Sequence, residues 1–384
     1  MSRFLMVVPP LAGHVNPTVA VGRELQQRGH QVAWAGHPAL VPPLLPEGCR
    51  LLPAGGAFSE TQIRAARQRW IDLRAFAALK ALWDEVLIPL AYAMVEGVEE
   101  AVEAFGPDIV VADQQALAGG AVARRRALPW ATSASTFSEL TRPYASMPKV
   151  EAWVAGVLAD FQRAHGAGAG DLRFSEHLVV VYSTPELAGS VEIARNAAFV
   201  GPAIGERPPG PAFPWEWIDP SRPLVLASLG THSGEAGARF YRVLLEAAGG
   251  EVQVVVVAPP GLLGPVPPNV LVRDAVPQLR LLPHVDAVVT HGGINTVSES
   301  LLHAVPMVVA PIRDDQPVIA ARVAAAGAGI QVRFGRVQAD ELGTALRAVL
   351  QGPRYREAAR RIGDAFAAAG GAAAAADHFE KLAR

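Results

Sequence analysis

The stretch THGGINTVSESLLHAVPMVVAPIRDDQP, residues 290–317, decides how the chain folds. The apolar run 287–290 ends at His291-Gly292-Gly293. A helical pattern opens at once at 295, with Asn295 and Thr296 in its first turn. A second apolar run, 307–310, follows that helix, and another helical pattern begins at 316. Strand, helix, strand, helix in this rhythm is the unit of a parallel sheet, whose strands are buried on both faces and read as continuous apolar runs. Two adjacent glycines let a backbone approach another group closely. A helix N-terminus offers unpaired N–H groups and the positive end of the dipole, which suits a diphosphate. The dipole contributes roughly 0.3–1 kcal/mol per anionic group, and up to about 2 when partly buried. His291 can add a directed hydrogen bond to a phosphate oxygen. Taken alone, His-Gly-Gly is explained equally well by a plain strand-to-helix turn with a capping histidine.

The rhythm extends both ways along the chain. Upstream, strands are expected at 4–8, 31–35, 109–112, 130–132 and 178–182, with helices at 17–28 and 117–126 and a long helical pattern over 75–105. Gly29 falls at the C′ position of the first helix. Downstream, strands 224–228, 253–257, 287–290 and 307–310 alternate with helices near 236–248, 295–303, 316–326 and 339–350, and the Ala-rich tail from 354 reads as helix. Between the halves lies GERPPGPAFPWEWIDPSRP, residues 205–223, too rich in Pro and Gly for a helix or a central strand. The sequence therefore predicts an α/β protein of two doubly wound, Rossmann-like domains facing across a cleft. The N-terminal domain spans 1–204, the linker 205–223 and the C-terminal domain 224–365. A C-terminal helix over 366–384 packs back towards the N-terminal domain. Ligands are expected at the carboxyl ends of the strands.

Composition narrows the function. With 384 residues, 51% hydrophobic and 18% charged, the chain can build two cores and leaves little room for disorder. A net charge of -2 argues against nucleic acid or an anionic membrane as partner. Cys49 is the only cysteine, which excludes an intrachain disulfide and a cysteine metal site and fits a reducing cytosol. The opening MSRFLMVVPP stops at prolines without a cleavage site, so it reads as a strand and not a signal peptide. No stretch approaches the roughly 20 apolar residues of a membrane span. A cytoplasmic monomer or homodimer is expected. Lys occurs only at Lys80, Lys149 and Lys381 in a chain rich in Ala, Gly and Pro, a composition typical of GC-rich bacteria.

The spacing of residues 290–317 resembles the nucleotide-sugar glycosyltransferases of the GT-B fold, and within them the family-1 enzymes of bacterial natural-product (antibiotic) biosynthesis. His291, Gly292, Gly293, Thr296 and Glu299 match the family's His-Gly-Gly-x-x-Thr-x-x-Glu. Ala304-Val305-Pro306 departs from its Gly-Val-Pro only at the first position, and Asp315-Gln316 completes the pattern. Upstream, Val276-Pro277-Gln278, Leu282-Pro283-His284 and Leu229-Gly230-Thr231 match further elements. The resemblance implies that His291 contacts the diphosphate, assisted by Asn295 and Thr296, with Gly230 and Thr231 near the phosphates. It implies that Glu299 accepts from ribose hydroxyls, that Asp315 and Gln316 bind the hexose, and that Val276 offers its backbone to the base. Ala275 stands where the family usually carries an aromatic that stacks on the base, so here the base packs differently or is held less tightly. Asp314-Asp315 invites a metal site. In the family the helix end neutralises the leaving group, so no metal and no cofactor is expected, only a nucleotide sugar as co-substrate, a dTDP-sugar before a UDP-sugar.

The acceptor side is written in the first half. Residues 9–17, PPLAGHVNP, join the first strand to the first helix and set His14 at a strand's carboxyl end, with Asn16 as cap and Pro17 in the first turn. A neutral imidazole is the natural base for an acceptor hydroxyl. Asp113, at the end of strand 109–112, can hold the other imidazole nitrogen. The resemblance implies the same His–Asp pair. The other histidines need no role, save His232 beside the phosphate turn. Ser135, Thr136 and Phe137 follow a strand and are the best local guesses for an apolar acceptor pocket. The reaction expected is a single displacement. His14 takes the acceptor's proton, the acceptor oxygen attacks the anomeric carbon of a hexose or deoxyhexose, and configuration inverts. Two other classes remain at this stage: a nucleotide-sugar epimerase, and a non-catalytic auxiliary protein that keeps the fold.

Overall fold

Continuous apolar runs become strands here because helices cover both faces of each sheet, so neither face needs polar side chains. The structure, a computed structural model, describes residues 1–73, 75–189, 196–205, 210–230 and 234–384. It divides into two units. One comprises Met1–Pro185, Ser190–Glu206 and Ala369–Arg384, the other Glu186–Gly189 and Arg207–Ala368.

In the first unit the chain runs β1 (Arg3–Val7), α1 (Ala12–Gln27), β2 (Gln31–Gly36), β3 (Arg50–Pro53), α2 (Glu60–Asp72), α3 (Ala75–Ala81), α4 (Ile88–Phe105), β4 (Ile109–Asp113), α5 (Leu117–Arg125), β5 (Trp130–Ala134), α6 (Pro148–Ala164), β6 (Leu178–Val181), α7 (Pro185–Ala188, which continues into the second unit) and β7 (Ala197–Phe199). Among the described residues these strands form one parallel sheet in the order β3-β2-β1-β4-β5-β6-β7. Leu5, Val7, Val110, Ala112 and Trp130 face α4, α5 and α6. Phe4, Met6, Val111 and Val180 face α1 and the last helix.

The second unit runs β8 (Leu224–Ser228), α8 (Gly234–Ala248), β9 (Gln253–Val257), β10 (Val270–Arg273), α9 (Gln278–Leu281), β11 (Ala287–Thr290), α10 (Ile294–Leu302), β12 (Met307–Val309), α11 (Gln316–Ala325), β13 (Gly329–Gln331), α12 (Ala339–Gln351) and α13 (Pro353–Ala368). Its described strands form a parallel sheet, β10-β9-β8-β11-β12-β13. Each unit is thus a Rossmann-like domain. The last helix, α14 (Gly371–Leu382), belongs to the first unit. There Ala375, Ala376 and Phe379 join the core, and Arg28 donates to Asp377 Oδ1 at 2.5 Å.

Both sheets have a topological switch point, where consecutive strands leave in opposite directions and a crevice opens at the carboxyl ends. In the first sheet it lies between β1 and β4, in the second between β8 and β11. His14 follows β1 and Asp113 ends β4; Gly230 follows β8 and His291 follows β11. The topology, not the sequence separation, brings each pair together.

One local expectation needs correction. Helix α1 does not wait for an Asn16 cap. It starts at Ala12 behind Leu11, closed by Val15 N–H donating to Leu11 O at 3.0 Å, so Pro17 lies inside it. A proline this early removes a single intrahelical bond. His14 therefore sits on the first helical turn, not on a loop.

Candidate functional site

In the first unit, His14 Nδ1 lies 2.9 Å from Asp113 Oδ1. The Asp113 side chain is fully enclosed and that of His14 is 16% exposed, so the carboxylate is shielded while the ring reaches the surface. Asp113 Oδ1 also accepts from Gln115 N–H at 2.9 Å. A carboxylate accepting at Nδ1 fixes the tautomer with its basic lone pair on Nε2, the nitrogen that can take a proton from a ligand. Ser135 follows β5 as expected, and its Oγ is 2.7 Å from His14 Nδ1, so the Nδ1–H lies between a carboxylate and a hydroxyl. Thr136 is buried, with its N–H donating to Gln114 Oε1 at 3.3 Å. Phe137 is 1% exposed, wholly within the packed interior.

Sequence reasoning passed over a neighbouring cluster. Glu139, on the turn after β5, accepts from Arg173 Nη1 at 3.2 Å, and Arg173 also holds Asp171. Burial pushes the Glu139 carboxyl up, opposed by the Arg173 guanidinium. Nothing in the local sequence announced it, because Glu139 and Arg173 are distant in the chain and join only through the fold.

In the second unit the glycine-rich turns after β8 and β11 are built around His291. The ring is held by the Ser228 main chain, and burial, with Arg313 nearby, lowers its pKa to about 4, so it is a neutral imidazole near pH 7. The glycines of the motif make room for this ring. A Cβ on Gly293 would lie 2.8 Å from His291 Nε2, and one on Gly230 would lie 3.0 Å from Cε1. Gly292 adopts φ +93°, a conformation glycine reaches without strain. Helix α10 begins at once behind Gly293, with Asn295 and Thr296 in its first turn and their N–H groups at its positive end.

Glu299, 1% exposed, accepts from Gln278 Nε2 at 2.7 Å, which gives the Pro277-Gln278 pair a role the sequence left unassigned. Val276 O accepts from Gln278 N–H at 2.8 Å. Gln316 Oε1 accepts from Ile312 and Arg313 N–H at 2.9 and 3.1 Å, stapling the turn before α11, with Asp315 at that helix's N-cap. Ala275 is exposed beside this region. Thr231 and His232 lie outside the described residues, as do positions 206–209 of the expected linker. Among the described residues no group of three His, Cys, Asp or Glu side chains could hold a metal ion, and no helix is long and apolar enough to cross a membrane.

Comparison with known proteins places the chain in a family. Residues 187–365 match the family model described as UDP-glucoronosyl and UDP-glucosyl transferase. The chain is 30% identical to the 4'-demethylrebeccamycin synthase of Lentzea aerocolonigenes over 99% of both chains. The chain belongs to this glycosyltransferase family. It is a nucleotide-sugar-dependent glycosyltransferase. It is also 30% identical to the demethyllactenocin mycarosyltransferase of Streptomyces fradiae, covering all of this chain and 87% of that one. Among solved structures, the glycosyltransferase of kitacinnamycin superposes with a TM-score of 0.78 at 27% identity, over 99% of this chain and 98% of that one. The glycosyltransferase VinC, solved with dTDP, reaches 0.78 at 22% identity over 99% of both, which shows the shared GT-B fold.

Proposed function

We propose that this glycosyltransferase moves a deoxyhexose from a dTDP-sugar to a small, largely apolar natural-product aglycone with inversion at the anomeric carbon. The observation that carries the proposal is the His14–Asp113 pair, held at 2.9 Å beside the switch point of the first sheet. His14 Nε2 takes the proton of the acceptor hydroxyl, and Asp113 stabilises the resulting imidazolium. The oxygen attacks the anomeric carbon as the bond to the diphosphate breaks. In the second unit, neutral His291, the backbone of Gly230, Gly292 and Gly293, and the first turn of α10 with Asn295 and Thr296 bind the diphosphate. Glu299 accepts from ribose hydroxyls, Val276 meets the base, and Asp315 and Gln316 hold the sugar. A neutral His291 suits this task because it donates a hydrogen bond without changing charge as the leaving group develops. The names of the similar proteins, a mycarosyltransferase and an enzyme solved with dTDP among them, support a dTDP-linked deoxysugar and an antibiotic-type acceptor. The reaction needs no cofactor beyond the nucleotide sugar.

Calorimetric titration of dTDP and UDP into the wild type and His291→Ala tests the donor half. Tighter binding of dTDP, lost in the variant, supports the proposal. Binding of neither nucleotide, or dTDP affinity unchanged in the variant, would overturn this reading of the donor half.

A further inference from the structure

The turn that follows β5 carries polar groups that the His14–Asp113 pair does not use. Glu139 and Arg173 are only 13% and 17% exposed in their side chains, and Glu139 Oε2 accepts from Arg173 Nη1 at 3.2 Å. The rest of the Arg173 fork is taken by Asp171, through Nε at 3.0 Å to Oδ1 and Nη2 at 2.7 Å to Oδ2. One guanidinium thus serves two carboxyl groups, of which Glu139 is the enclosed one and Asp171 the more exposed. Glu139 Oε1 accepts no hydrogen bond among the described residues. Its carboxyl shares a local field with the dyad: burial and Arg173 act on it most, then Asp171, Asp113 and His14.

A second, independent observation lies beside it. Gln114 is 1% exposed, and its Oε1 accepts from Thr136 N–H, which fixes the amide's orientation. Its Nε2 donors then have no partner among the described residues. Buried amide donors in a native fold are nearly always satisfied, so one left open next to a working site points to a missing ligand group. Gln114 adjoins Asp113 in the chain, and Thr136 lies three residues before Glu139, so both open groups are anchored to the same turn.

We propose that Glu139, clamped by Arg173, and Gln114 form a recognition point for a hydroxyl group of the acceptor. A hydroxyl donates to the carboxylate and accepts from the amide, matching both open groups at once. The acceptor is then an apolar skeleton with a second hydroxyl besides the one that is glycosylated. This rests on the reading of the first unit as the acceptor-binding half.

The test uses the full-length enzyme with its dTDP-sugar, a planar aromatic diol as acceptor, and the mono-O-methyl ether of that diol. A site built to hydrogen-bond a hydroxyl rejects an analogue lacking it, so the wild type should prefer the diol by at least about tenfold in kcat/KM. Glu139→Gln should erase most of that preference through KM, leaving kcat and calorimetric dTDP binding unchanged. Unchanged dTDP binding also shows that the variant has folded. Equal use of both acceptors by the wild type would overturn the inference while leaving the transferase reading intact. A Glu139→Gln loss in kcat that falls equally on both acceptors would also overturn it and make Glu139 a positioning group acting through His14. Failure of the wild type to bind or glycosylate either acceptor would count against the reading of the first unit as the site of an apolar acceptor and against this inference together.

Discussion

Ala304 follows the His303 C-cap of α10 with φ +53°, in the left-handed region. Two bonds close the helix end around it: Ala304 N–H donates to Leu301 O at 2.9 Å and Val305 N–H to Ser300 O at 2.9 Å. This is the Schellman arrangement, in which the C′ position favours glycine. The family pattern places Gly at that position, so the departure at Ala304 has a physical cost. A non-glycine residue in the left-handed region loses roughly 1–2 kcal/mol. Glycine gives part of that back, about 0.4–1 kcal/mol, through the freedom it adds to the unfolded chain. Ala304→Gly should therefore stabilise the second unit by about 0.5–1 kcal/mol. At about 2–4 °C per kcal/mol for units of this size, the rise in Tm is roughly 1–4 °C. The assay is thermal unfolding followed by circular dichroism. Ala321→Gly, exposed within α11, serves as the contrast and should lose about 1 kcal/mol. If Ala304→Gly lowered Tm as Ala321→Gly does, the left-handed assignment and the reasoning built on it would be wrong.

Further outcomes follow from the two sites. Asp113→Asn should cut kcat by on the order of 10²–10⁴ and leave calorimetric dTDP affinity intact, because it removes the acceptor that fixes the His14 tautomer. Gly293→Ala should weaken nucleotide binding about tenfold, equivalent to about 1.4 kcal/mol, because its Cβ would enter the space of the imidazole, whereas the backbone at φ -62° accepts alanine without strain. His291 takes up a proton near pH 6.5 when unfolded and near 4 when folded. Between those values the unfolded chain binds more protons, so this contribution to stability rises with pH and is lost as pH falls from about 6.5 towards 4. Urea unfolding of wild type and His291→Asn at several pH values should show a shallower acid loss in the variant, and identical slopes would refute the assignment.

Much of the fold was readable, and what was not has a common cause. The central strands are long enough and apolar enough to stand out, since helices cover both their faces. The four strands that no pattern announced, β3, β7, β10 and β13, are the edges of the two sheets. An edge strand hydrogen-bonds on one side only, so it can be short and mixed in character: RLLP, VLVR and GIQ carry a charge, proline or glycine where central strands carry valine, and AAF is only three residues long. The start of α1 was misread because Asn16-Pro17 is a sound capping signal, but the backbone around Leu11 closes the helix first. At the sites, contiguous motifs such as residues 291–299 were legible because one turn carries them. Ser135 on His14, Arg173 on Glu139 and Gln278 on Glu299 were not, since each pair is separated by tens of residues and joined by topology alone.

The central claim is a single displacement with His14 as base. The direct measurement is the anomeric configuration of the glycoside formed from an α-linked dTDP-deoxysugar, read by proton NMR for wild type and His14→Ala. The account predicts a β-glycoside from the wild type and a rate lower by about 10²–10⁴ in the variant. A product that retains the α configuration, or full activity without His14, would contradict it.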